Sequence, residues 1–153
     1  MMLKYVKGDL VQMAYNGEFE FIIHGCNCFH TMGAGIAKQI KMTFPEAYEC
    51  DLKTPYGDRY KLGRTSTEFC KNSKSGVWVI NAYTQFKPGR ENPKHLYRNI
   101  KDCFSQYVVH LKDKKIGIPK IGCGIAGGDW NIVSDIIEDI MKDSDITVVV
   151  FED

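Results

Sequence analysis

Two stretches hold the residues whose types and spacing can do chemistry. The first, Ile22 to Ala37, reads IIHGCNCFHTMGAGIA, and the second, Pro119 to Trp130, reads PKIGCGIAGGDW. In each, glycines sit between an apolar strand-like run and a helix start: Gly33 and Gly35 in one, Gly122, Gly124, Gly127 and Gly128 in the other. That order is a recipe for holding an anion. The first turn of a helix carries N–H groups without partners and the positive end of the macrodipole. Glycine lets a phosphate come close to the backbone. One such loop is also ordinary turn chemistry, so it is the second copy that favours a ligand. Two such loops on one sheet edge fit a diphosphate, with a place for a further phosphate.

The titratable residues nearby add a second kind of chemistry. His24, at the end of the run Phe19 to Ile23, is a candidate for proton transfer or water positioning, since imidazole titrates near neutrality. His30, nearer the glycines, is a second. Asn27 cannot act as a base but can orient a hydroxyl or a water. His24, Cys26, Cys28 and His30 alternate at period two, which invites a zinc reading. Their spacing does not bend the chain around an ion as a two-residue gap does, so no metal is expected. Cys123 lacks the Cys-x-x-x-x-x-Arg pattern of a phosphatase nucleophile: the residue six on is Asp129. It reads as a small space-filler. No Gly-x-x-x-x-Gly-Lys-Ser/Thr string exists. Tyr83, Phe86 and Trp130 are candidates to stack on an adenine or flank a ribose, though aromatic residues just past strand ends equally often pack the rim.

The elements that must position these residues follow from hydrophobic period and turn residues. Leu3 to Val6 begins a strand closed by Gly8-Asp9-Leu10, where Asp9 reads as a cap. Phe19 to Ile23 suits a central strand buried on both faces. Ile36, Ile40 and Phe44 mark a helix that Pro45 breaks or restarts; Tyr48 to Asp58 reads as helix end and loop. Leu62 to Cys70 and Val77 to Ile80 flank a turn and predict an antiparallel hairpin. Leu96, Ile100, Phe104 and Val108 stripe a helix from Pro93 or His95 to about His110. Ile116 to Pro119 is a strand, Asp129 caps a helix that buries Ile132, Ile136, Ile137 and Ile140, and Ile146 to Phe151 is a last strand. Alternating strands and helices predict an α/β fold with a mixed, mostly parallel sheet covered by helices on both faces. Ligands in such folds bind beyond the carboxyl ends of the strands.

Bulk properties exclude other classes. The chain has 153 residues, 44% hydrophobic and 25% charged, with a net charge of +1. That balance gives no electrostatic case for nucleic acid or a membrane surface. There is no membrane-length apolar run and no signal-peptide pattern. Six cysteines without an export signal are expected to be reduced thiols in a cytoplasmic protein. A monomer is expected.

Taken together, four motifs resemble the macro domain, the ADP-ribose-binding module. Tyr5-Val6-Lys7-Gly8-Asp9-Leu10 resembles its first strand and adenine-contacting acid. His24-Gly25-Cys26-Asn27-Cys28 resembles the strand end with the ribose-proximal asparagine. Met32-Gly33-Ala34-Gly35-Ile36-Ala37 resembles the first diphosphate loop, and Pro119-Lys120-Ile121-Gly122-Cys123-Gly124-Ile125-Ala126-Gly127 the second. The resemblance implies one three-layer α/β/α macro domain over residues 1–153, with no cofactor. It implies that Gly8, Asp9 and Leu10 meet the adenine, and that Met32, Gly33, Ala34, Gly35 and Ile36 meet the diphosphate. Ile121, Gly122, Cys123, Gly124, Ile125, Ala126 and Gly127 would wrap the other phosphate and the distal ribose, and Asn27 would bond that ribose. The strings His-x-Cys-Asn-Cys and Gly124-Ile125-Ala126-Gly127-Gly128-Asp129-Trp130 are similar to the small branch that includes ADP-ribose-1''-phosphate phosphatases. That likeness implies such a phosphatase, with His24, Asn27 and His30 as catalytic candidates. A related branch that removes ADP-ribose from glutamate carries an acid where this chain has Ala126. Removal of ADP-ribose from protein or nucleic acid, and non-catalytic reading of ADP-ribose, are the competing expectations.

Overall fold

A computed structural model describes residues 3–151 of the chain. The strands are β1 (Lys4–Gly8), β2 (Phe21–Cys26), β3 (Thr65–Cys70), β4 (Val77–Tyr83), β5 (Lys115–Ile118) and β6 (Asp145–Phe151). The helices are α1 (Leu10–Tyr15), α2 (Gly35–Thr43), α3 (Pro45–Leu52), α4 (Pro93–Ser105) and α5 (Trp130–Ile140). One sheet runs in the order β1-β6-β5-β2-β4-β3. Every neighbouring pair is parallel except β3 with β4, the hairpin read from the sequence.

Successive strand residues feed opposite cores, as period two requires. Ile23, Ile80 and Val148 pack with α4 and α5, through Leu96, Ile100, Phe104, Val133 and Ile137. Ile22, Val79 and Val149 pack on the other face with α1, α2 and α3, through Leu10, Val11, Ala14, Ile40 and Ala47. Both faces are covered, which is why these strands read as unbroken apolar runs. The result is the expected α/β/α sandwich. Each large apolar side chain buried outright contributes about 1.5–3 kcal/mol.

The differences from the sequence reading have local causes. Asp9 does cap, its side chain accepting from Gln12 N, and so opens α1, a helix too short to show a period. Pro45 sits in the first turn of α3, where its missing N–H costs nothing, so the chain restarts a helix rather than looping. α4 ends at Ser105, and Val108 lies exposed in the turns beyond it. In α5 the buried positions are Val133, Ser134 and Ile137, while Ile132 is exposed. All six cysteines are free, and only Cys50 and Cys123 are not buried. Among the described residues no helix is long and apolar enough to cross a membrane.

Candidate functional site

The carboxyl ends of the parallel strands open into a cavity of about 420 Å³. Its lining includes Gly8, Asp9 and Leu10 after β1, Gly35, Ile36 and Gln39 on α2, Pro119, Lys120, Cys123 and Gly124 after β5, and Val149, Val150 and Phe151 at the end of β6. Seven of the expected ligand residues are thus brought to one surface. The cavity also takes Phe151 and Lys120, which the motifs did not assign. Phe151 pairs in register with Gly8, at the carboxyl end of a strand, and that position was the available signal.

Two runs of backbone donors reach this surface, the first through Gly35 and Ile36 and the second through Gly124. Ala34 is extended and starts α2 without a side-chain cap. Among the described residues the N–H groups of Gly33, Ala34, Gly35, Ile36 and Ala37 have no backbone partner, and Lys38 N is the first to bond, to Ala34 O. In the second loop Gly127 N bonds Gly124 O at 3.1 Å and Gly128 N bonds Gly122 O at 2.7 Å. That closes the loop and, among the described residues, leaves the N–H groups of Gly124, Ile125 and Ala126 without backbone partners.

The glycines divide by cause. Gly122 has φ +74, and a Cβ there would meet Ile100 Cδ1 at 3.0 Å. A Cβ on Gly128 would stand 2.6 Å from Gly122 O. These two are structural. Gly33 and Gly124 have no positive φ, and a Cβ on either would meet nothing within 4 Å. Neither turn geometry nor packing requires a glycine at those positions, so what remains is the space in front of the backbone, which a ligand can use.

The strand end before the first loop is held from below by a buried polar centre. His24 is fully buried, and its Nε2 lies 2.6 Å from Asn81 Oδ1. Asn81 Nδ2 donates to Ala47 O and Ser66 Oγ, so Oδ1 is the acceptor and Nε2 carries the proton. Burial lowers the His24 pKa, against the raising effects of the Asn81 bond and of Asp51. Tyr83, also buried, donates to Asp51 Oδ1 at 2.6 Å, and burial followed by that bond raises its pKa. Lys61, only 5% exposed, donates to Cys28 O at 3.3 Å and lies over the Tyr83 ring. The sequence reading of His24 is corrected on this point: a side chain enclosed beneath the sheet cannot touch a ligand in the cavity. Tyr83 is likewise enclosed and cannot stack on an adenine. Phe86 stacks under Arg59, and Trp130 donates to Tyr5 Oη.

The loop above this centre keeps the other candidates near the surface. Asn27 Nδ2 donates to Thr31 Oγ1 at 2.6 Å, and its Oδ1 accepts from Phe29 N. That side chain shapes the turn and retains one lone pair on Oδ1. His30 has φ +57, and its Nε2 donates to Thr54 O at 2.8 Å, which leaves Nδ1 with the lone pair. β2 ends at Cys26 and the chain turns, so the four His and Cys residues do not share a face. Met32, Ile121 and Ala126 point into the cores, so only their backbone is available to a ligand. Gly122, Ile125 and Gly127 complete the second loop without lining the cavity. The Cys123 thiol bonds Ile121 O, and burial with Asp129 beside it pushes its pKa up to about 11, the reverse of an activated nucleophile.

Comparison with known proteins agrees with this geometry. The family model described as Macro domain matches residues 23–137. An uncharacterized 17.5 kDa protein of Enterobacteria phage T4 is 37% identical over 99% of this chain and 98% of its own length. An ADP-ribose 1''-phosphate phosphatase of Debaryomyces hansenii is 28% identical over 89% of this chain and 92% of its own. An ADP-ribose glycohydrolase of Bos taurus is 27% identical over 97% and 90%. The solved macrodomain of Mycobacterium tuberculosis DarG superposes with a TM-score of 0.74 at 20% identity, covering 99% of this chain and 98% of that one, a likeness of fold.

Proposed function

Because the chain belongs to the macro domain family, we propose that its cavity binds ADP-ribose and that it hydrolyses ADP-ribose-1''-phosphate to ADP-ribose and phosphate. The observation that carries the binding is the pair of unbonded N–H runs, Gly33–Ala37 and Gly124–Ala126, each with a glycine that has no structural cause. Donors held in place toward an anion act without reorganising. Asp9 gives one oxygen to Gln12 N and keeps the other for the adenine amino group. Phe151 offers a ring face beside it. Asn27 lies toward the distal ribose.

In the hydrolytic step a water oxygen attacks phosphorus, the ester P–O bond breaks, and its electron pair goes to the ribose oxygen, which takes up a proton. His30 is the proton-transfer candidate that remains once His24 is enclosed, with Nδ1 as the accepting atom. The N–H runs spread the charge that develops on the phosphoryl oxygens. Relatives carry both phosphatase and glycohydrolase names. Ala126 favours the phosphatase, because it stands where the glutamate-deribosylating pattern has an acid and its methyl is packed in the core.

The test is calorimetric titration with ADP-ribose beside phosphate release from ADP-ribose-1''-phosphate. Binding and release are expected, and His30→Gln should cut release about a hundredfold or more while ADP-ribose still binds. Binding without release would remove the phosphatase and leave a reader or a de-ADP-ribosylating enzyme. Absence of binding would remove the whole reading.

A further inference from the structure

The strand order sets a direction along the cavity. Asp9 follows β1, Phe151 ends β6, the second glycine loop follows β5, Asn27 follows β2, and residues 84–92 follow β4. At roughly 4.8 Å per strand, β2 lies about 14 Å and β4 about 19 Å from β1. With the adenine at Asp9, the far end of ADP-ribose comes over β2. Whatever is attached to the distal ribose comes to the loop after β4.

That loop is fixed at both sides of the site. Cys28 N bonds Phe86 O at 2.9 Å, and Glu91 N bonds Ala126 O at 3.1 Å. Inside the loop Gln85 Nε2 donates to Lys87 O and Gly89 O, and Glu91 accepts from Phe86 N and Asn92 N. The loop therefore presents Arg90 from a fixed frame. Its guanidinium lies on the face of Gly127: a Cβ there would stand 3.2 Å from Arg90 Cζ. Among the described residues Arg90 has no ion pair, and its side chain donates no hydrogen bond. Glu91, next to it, is tied to backbone N–H groups and lies 3.9 Å from His95 Nδ1. A planar fork of five donors, left unmatched one short turn from Gly124, suits a phosphate monoester.

We propose, resting on the ADP-ribose reading of the cavity, that Arg90 is the residue that reads the terminal phosphate on the distal ribose. It selects ADP-ribose-1''-phosphate over ADP-ribose, and Gly127, which its φ of +86 already requires to be a glycine, leaves the guanidinium room to lie flat against the second loop. The probe that separates this from turnover is the phosphonate analogue of ADP-ribose-1''-phosphate, with carbon in place of the bridging ester oxygen. It is titrated beside ADP-ribose into the wild type, Arg90→Ala, Arg90→Lys and Lys142→Gln, the last removing one positive charge elsewhere.

The wild type is expected to prefer the phosphonate by about tenfold or more, the ordinary worth of charge-assisted hydrogen bonds. Arg90→Ala should erase most of that ratio, Arg90→Lys should keep part of it, and Lys142→Gln should keep all of it. An unchanged ratio in Arg90→Ala, or no preference in the wild type that still binds ADP-ribose, overturns the role of Arg90 and leaves the ADP-ribose reading standing. Loss of the ratio in Arg90→Ala, in a protein that never releases phosphate, supports Arg90 while removing the phosphatase. Failure of the wild type to bind either ligand overturns both.

Discussion

One oxygen of Asp9 caps α1, which leaves the other for a ligand, and a single substitution separates the two roles. Asparagine caps as well as aspartate does. Asp9→Asn should therefore melt within a few tenths of a kcal/mol of the wild type. Its amide must cap through oxygen, which turns an NH2 group toward the adenine amine and sets donor against donor, so ADP-ribose affinity should fall about tenfold. Asp9→Ala should lose the cap too, at about 1 kcal/mol. Thermal melts and calorimetric titration of the pair read the difference. Equal binding by Asp9→Asn and wild type would remove Asp9 from the adenine site. At this scale the sequence was a mixed guide. Asp9 was legible because its cap depends on neighbours in sequence. His24 was misread because what encloses it, Asn81, comes from a strand 57 positions away, and no local pattern announces it.

The two glycine loops are the elements on which binding rests, and their glycines should not respond alike. Gly128→Ala drives a methyl against the Gly122 carbonyl oxygen, a backbone atom that cannot turn aside. Roughly 1–3 kcal/mol of stability should be lost in urea unfolding. Gly124→Ala meets open space at an ordinary φ. Its stability should stay within about 0.5 kcal/mol of the wild type, while ADP-ribose binding weakens about tenfold as the methyl occupies the approach to the N–H run. Normal binding by Gly124→Ala would show that no phosphate comes to that backbone. The strands, the hairpin and both loops were legible because each is written in hydrophobic period and turn residues, whereas the strand order, set by contacts distant in sequence, was not. α1 was not, because six residues are too few to show a period. The start of α3 at Pro45 was ambiguous because proline both ends and starts helices.

The polar centre under β2 concerns the whole molecule, since it joins residues from β2, α3, β3 and β4. Its histidine gives stability a pH dependence whose sign is fixed. The folded pKa of His24 lies below the ordinary value of 6.5. Below that value the unfolded chain binds a proton that the folded chain refuses. The stabilisation is fully present above 6.5 and is lost as pH falls toward the lowered folded value, by at most about 1.4 kcal/mol per pH unit. Urea unfolding at pH 7.5 and pH 5.5 should show the loss, and His24→Gln should flatten the part due to this residue. A slope unchanged by His24→Gln would place the acid sensitivity elsewhere. The same scale governs ligand length. ADP, which ends before the distal ribose, should bind Asn27→Ala as it binds the wild type, whereas ADP-ribose should bind that variant about tenfold more weakly.

Cys123 on the cavity wall makes the protein its own footprinting reagent. It and Cys50 are the two thiols left partly open, and burial raises the pKa of both, that of Cys123 to about 11. Alkylation runs through the thiolate, so labelling is slow at neutral pH and is best timed near pH 9. A bound nucleotide would shade Cys123 and leave Cys50, outside the cavity, as the internal clock. The mass increments of two peptides would then report occupancy without a substitution, a fluorophore or any turnover.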